Sequence, residues 1–193
     1  MEKVQSSFDL SDFIREMTKI VDETTNHAKR VEEAEALLGQ LIRTKNWLSP
    51  DKLQLEEGKY ARHSLYRDPH DQFEILALIW KSGQRTPLHD HDGTWGVEGI
   101  ISGRMKVMNY VQLESFPNQT AKLCYAGTMT INEQSTGELL PPADCHILEA
   151  IEPTITIHVY GKRLQKFRIF EPVPNAEEGL YTYWEKPVGY TTE

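Results

Sequence analysis

Thr86-Pro87-Leu88-His89-Asp90-His91 is the stretch on which the reading of this chain turns. On an extended strand, residues two apart point to the same side. His89 and His91 therefore present both rings to one face, where neutral imidazoles can share a metal ion. A third histidine stands at the end of Leu140-Pro141-Pro142-Ala143-Asp144-Cys145-His146 and can close the set from a distant strand. The pattern predicts a mononuclear metal site on a β scaffold.

Hydrophobic period divides the chain into two regions. From Asp9 to about Trp47, Phe13, Ile14, Met17, Ile20 and Val21, then Val31, Ala34, Leu37, Leu38, Leu41 and Ile42, recur at helical spacing. Two amphipathic helices follow, the first capped by Asp9 or Ser11, and Ser49-Pro50-Asp51 marks the exit. Beyond Tyr60 the signal is that of short strands: Phe73 to Trp80, Trp95 to Ile101, Arg104 to Leu113, Lys122 to Ile131, Ile147 to Ile151, Thr154 to Tyr160 and Lys166 to Phe170. With Ser102-Gly103 as a tight turn, these describe a mainly β sandwich or barrel. The expected organisation is a helical segment over residues 1–50 packed on a barrel over residues 51–193. Its last segment, Glu171 to Glu193, carries Pro172, Pro174 and Pro187 and reads as an irregular tail whose aromatics pack on the barrel.

Charge and composition narrow the partners. A formal net charge of -8 with no basic run argues against nucleic acid or an anionic membrane and leaves a small molecule. Met1 to Leu10 lack the apolar stretch of a signal peptide and no window approaches a membrane span, so a cytoplasmic protein is expected, monomeric or a small homo-oligomer. Cys124 and Cys145 are too few for a disulfide framework and read as reduced, buried thiols. His27, His63 and His70 read as solvated.

Gly83, the five residues after it, His89-Asp90-His91 and then Gly103 resemble the first motif of the cupin superfamily, and Pro141 to His146 resembles the second. The resemblance implies a double-stranded β-helix, or jelly-roll, barrel fronted by the pair of α-helices. Most cupins place a glutamate four or five residues after the second histidine as a fourth ligand. This chain has Trp95 and Gly96 there, with Glu98 two residues beyond and out of register. An all-histidine set with Tyr60-Ala61-Arg62, Trp95-Gly96-Val97 and Thr156-Ile157-His158-Val159-Tyr160 is similar to the cysteine dioxygenase family of thiol dioxygenases, over about residues 40 to 170.

That resemblance implies one Fe(II) per chain on His89, His91 and His146, with O2 as co-substrate and a sulfinate as product. It makes Tyr160, His158 and Thr156 catalytic, and assigns substrate binding to Arg62, Tyr60 and Trp95. Gly96 stands where the mammalian enzymes carry the cysteine that crosslinks to the catalytic tyrosine, so no thioether is expected. The chemistry is coherent, because three neutral imidazoles leave the ion its full charge and an open face for a thiolate. Period-2 alternation independently puts Thr156, His158 and Tyr160 on one face. Arg62 favours L-cysteine over 3-mercaptopropionate, whereas Arg168 beside it would suit a dicarboxylic thiol such as mercaptosuccinate. The alternatives of another kind are a sugar isomerase, which usually keeps the fourth ligand, and a non-catalytic metal-binding cupin sensor.

Overall fold

The computed structural model describes residues 8–44 and 47–192. Helix α1 (Leu10–Glu23) is capped by Asp9, whose carboxylate accepts from the backbone N–H of Ser11 and Asp12 while the Asp12 carboxylate accepts from the Asp9 N–H. Helix α2 (His27–Leu41) is capped by Asn26. Phe13, Met17 and Val21 of α1 and Val31, Ala34, Leu38 and Leu41 of α2 are buried in one stripe.

Eleven strands follow: β1 (Ala61–Arg67), β2 (Glu74–Trp80), β3 (Leu88–His89), β4 (Gly96–Ser102), β5 (Arg104–Phe116), β6 (Thr120–Asn132), β7 (Thr136–Leu139), β8 (Cys145–Ala150), β9 (Thr154–Tyr160), β10 (Lys166–Pro172) and β11 (Leu180–Pro187). They form a five-stranded sheet in the order β1-β2-β9-β4-β7 and a six-strand set, β10-β11-β6-β5-β8-β3, whose ladder closes on itself. Every pairing between these strands is antiparallel. The fold is mainly β, two packed sets of antiparallel strands in a jelly-roll-like barrel with two helices in front.

The five-stranded sheet is buried on both faces, and strand parity sorts its residues. Ile75, Ala77, Ile79, Val97, Ile157 and Val159 pack with the helices. Leu76, Leu78, Trp80, Ile100 and Tyr160 face the barrel with Met105 and Leu148 of the other set. Trp95 belongs to the helix-side cluster, and its indole lies so close over Gly161 that any Cβ there would fall within the ring.

The end of the chain departs from expectation. Leu180 to Pro187 is not an irregular tail but strand β11, paired with β10 along its length and with β6. Tyr181, Thr182, Tyr183 and Trp184 have strong strand propensity, and the prolines bound the segment instead of breaking it. Strands β1 and β7 also went unpredicted, β1 because its sequence, ARHSLYR, is polar and β7 because it is only four residues long. His63, expected in solvent, is buried with its ring nitrogens bonded to Thr192 Oγ1 and Gln54 O. Cys124 is exposed, since it lies outside the contacts that bury Cys145. Among the described residues, no helix is long and apolar enough to cross a membrane.

Leu38 is fully buried between α2 and the sheet. Leu38→Ala is expected to lower unfolding free energy by about 2–5 kcal/mol, and Gly161→Ala to destabilise by displacing Trp95. Urea unfolding of both variants checks this.

Candidate metal centre

Antiparallel register brings the first two histidines together. His89 on β3 lies directly opposite His146 on β8, and His91 follows two residues later. Their ligand-capable nitrogens all lie within 4.8 Å of one another, and the rings sit 4.8–5.0 Å apart between centroids. Three imidazoles holding one ion on one face at about 2.1 Å each would space their ligand nitrogens roughly 3.0–3.4 Å apart, so the rings turn inward to close on an ion.

The surroundings suit a cation. All three histidines are buried. Burial, then the neighbouring imidazoles of His146 and His91, hold His89 well below the usual histidine range. Burial brings His146 down to about 4. Both are therefore neutral at pH 7, the form that ligates. His89 Nδ1 lies 3.0 Å from the Pro87 carbonyl and donates to it, which leaves Nε2 its lone pair. His91 Nδ1 and Nε2 and His146 Nε2 are buried without a hydrogen bond, a costly state that a metal ion relieves. The residues present fit a metal held by three imidazoles.

The opposite wall comes from β2, β4 and β9. Tyr160 stacks on His91 at 5.4 Å between centroids. Trp80, which sequence reasoning placed in a strand without a role, donates its indole N–H to Thr156 Oγ1 at 3.0 Å. Indole nitrogen is only a donor, so it sets the direction of the chain. The Thr156 hydroxyl then donates to His158 Nε2 at 2.8 Å. His158 Nδ1 lies 3.0 Å from the Tyr160 hydroxyl and 2.7 Å from Glu98 Oε1, so a ring that accepts at Nε2 holds its proton on the side of both. Tyr160 keeps its own O–H free to donate, and burial, then the Glu98 charge, hold that phenol well above its usual range and hence protonated.

Glu98 is the second residue whose place the sequence hid. It shares parity with Gly96 and so faces the barrel, opposite His158 in the ladder. Its Oε1 lies 3.8 Å from His146 Nε2. Burial by itself would raise this carboxyl, but His158 and His146 outweigh it and hold Glu98 below the usual carboxylate range. Parity with the inward Ile100 was the available signal; only spacing from the cupin glutamate position had been weighed.

Three expected site residues need separate comment. Arg62 and Tyr60 line a cavity of about 540 Å³. There the Arg62 guanidinium donates to the Tyr60 hydroxyl at 3.2 Å and keeps a buried Nε–H without an acceptor. Phe167 joins cavity to triad, since it lies 5.5 Å from His89 and 5.5 Å from the Arg62 guanidinium carbon. Trp95 is not in the cavity: it lies just before β4 and packs in the helix-side cluster. Arg168 is not there either: it lies between the inward Phe167 and Ile169, and its Nε is 2.6 Å from Asp90 Oδ2. Arg168 thus grips the residue between the two histidines from outside. Gly96 lies opposite Tyr160, and a Cβ there would come within 2.9 Å of its ring.

No family model matches the chain. Solved structures similar to it include an RmlC-like cupin protein from Desulfovibrio desulfuricans, at 12% identity over 61% of this chain and 96% of that one with a TM-score of 0.43. A Klebsiella pneumoniae protein with a double-stranded β-helix domain matches at 14% identity over 67% and 99%, TM-score 0.47. A cupin superfamily protein from Desulfitobacterium hafniense matches at 9% identity over 60% and 90%, TM-score 0.42. These are likenesses of the barrel and assign no residue a role.

A metal at one hundred times its dissociation constant stabilises a fold by about 2.7 kcal/mol. Ferrous or cobaltous ion is expected to raise the melting temperature of the parent protein, and His89→Ala, His91→Ala or His146→Ala to abolish the rise. One tightly bound ion persisting in all three variants would exclude this centre.

Proposed function

We propose that the chain is a non-haem iron thiol dioxygenase acting on a small thiol carboxylic acid, L-cysteine being the simplest candidate. The observation that carries the reading is the pairing of three converging, buried imidazoles with the hydrogen-bonded chain Trp80–Thr156–His158–Tyr160, whose open end is a phenol stacked on His91. In the reaction RSH + O2 → RSO2⁻ + H⁺, sulfur loses four electrons, dioxygen gains them, and both oxygen atoms end on sulfur. Bound iron(II) would supply the redox chemistry and lower the thiol pKa.

The remaining work belongs to the protein. Arg62 receives the substrate carboxylate through its planar fork, satisfying an N–H that otherwise has no acceptor. Phe167 and the Tyr60–Trp80 stack, whose centroids are 4.1 Å apart, keep the approach apolar and exclude water. Tyr160 donates its O–H toward the reacting sulfur and oxygen, and His158 fixes that hydroxyl. The Glu98 carboxylate, 2.7 Å from His158 Nδ1, favours the proton on that nitrogen and so the tautomer that serves Tyr160.

An oxygen electrode with sulfinate quantification tests the reading on the iron-loaded protein. One sulfinate per O2 is expected, and thiol-independent oxygen use or disulfide as the main product counts against it. Tyr160→Phe should retain iron but lower the sulfinate formed per O2, and Glu98→Gln should act in the same direction. Arg62→Ala is expected to cost about 2 kcal/mol or more in kcat/KM, mostly through KM, with iron content unchanged.

A further inference from the structure

The cavity beside the triad is larger and more cationic than a monocarboxylic thiol requires. Its volume of about 540 Å³ falls in the range that holds drug-sized ligands, well beyond the few heavy atoms of a minimal thiol acid. Lys59, Arg62, Arg85 and Lys186 line it against a single carboxylate, Glu56, in a chain whose net charge is -8. Glu56 is already engaged: it pairs with Lys59 at 2.8 Å and accepts from the Thr191 hydroxyl. Arg85 and Lys186 consequently have no ion-pair partner among the described residues. Two cationic stations result. The inner one is Arg62, 6% exposed and with an N–H lacking an acceptor. The outer one is the exposed pair Arg85 and Lys186 at the mouth.

A monocarboxylate satisfies the inner station and leaves the outer one idle. We propose that the cavity takes a thiol acid with two carboxylates, one held by Arg62 and the second by Arg85 and Lys186. The proposal rests on the thiol dioxygenase reading and specifies its substrate class. Water screens the outer charges, so their effect is chiefly selection and capture: they attract a second anion and repel an ammonium at that position. Arg168, which would have formed a dicarboxylate site with Arg62 on sequence grounds, has no part, because Asp90 holds it on the outer face of the barrel.

The test compares mercaptosuccinate with 3-mercaptopropionate, which lacks one carboxylate, in the iron-loaded parent and in the double variant Arg85→Gln/Lys186→Gln. In the parent, kcat/KM is expected to favour mercaptosuccinate by about tenfold or more. The double variant should bring that ratio close to one, mainly by raising KM for mercaptosuccinate. Equal or better use of 3-mercaptopropionate by the parent, or a ratio that the double variant leaves in place, overturns the proposal. Binding gives a reading independent of turnover: succinate should raise the melting temperature more than propionate, and the double variant should lose the difference. Succinate and propionate acting alike overturns the two-carboxylate cavity. Failure of the dioxygenase reading has a different signature, stabilisation by succinate with no sulfinate formed from any thiol.

Discussion

Two cross-strand pairings govern this molecule: His89 opposite His146 in the six-strand set, and Glu98 opposite His158 in the five-stranded sheet. A register slip of one residue would turn every side chain to the other face. It would take the imidazoles out of the barrel and put Ile157 and Val159 into it. The register is held by the burial of both faces of the five-stranded sheet, where the helix-side residues Ala77, Val97 and Ile157 are as completely enclosed as Leu76 on the barrel side. The N-terminal helices thereby act on the site at a distance, since their apolar stripe makes the slipped pairing costly.

Placing so many polar groups inside a barrel is unfavourable unless each finds a partner. Asp90 and Arg168 meet on the outside of the triad, and Asp144 Oδ2 stands 3.6 Å from His91 Nδ1. The Trp80–Thr156–His158 chain consumes its donors in sequence and leaves one phenol O–H free at the inner end. Among the described residues, what stays unsatisfied includes the triad nitrogens and the Arg62 Nε–H, apart from such groups as the Trp95 indole and Glu98 Oε1. Those first atoms are where the proposed ion and carboxylate would bind. Glu74, enclosed elsewhere, shows the opposite solution: it takes hydrogen bonds from the Tyr190 hydroxyl and the Leu164 N–H and ties the end of the chain to β2.

The barrel and the triad were legible because period-2 alternation and the H-x-H spacing are local signals. Thr154 to Tyr160 is a strand with the predicted ends, and the three histidines lie within reach of one another. Residues whose position depends on distant partners were harder to place. Trp95 and Arg168 were assigned to the cavity by family position and nearness to Tyr160, yet Trp95 packs against the helix-side core and strand parity turns Arg168 outward to Asp90. Glu98 was set aside because it lies two residues past the expected ligand position, although an even offset keeps it on the inward face. Trp80 reads as one more apolar strand residue, and its indole N–H gains meaning only with Thr156 beside it. The cationic mouth unites Lys59, Arg85 and Lys186 from remote parts of the chain, and no local pattern announces it.

The central claim is that three imidazoles, without a protein carboxylate, hold an iron ion with an open face for a thiolate. X-ray absorption on the anaerobic iron-loaded protein, before and after adding a thiol acid, tests it most directly. The account predicts multiple scattering from three imidazoles in the resting protein and a new sulfur neighbour once the thiol is present. A carboxylate ligand from Glu98 that persists with thiol bound, or an iron environment that the thiol leaves unchanged, would contradict it.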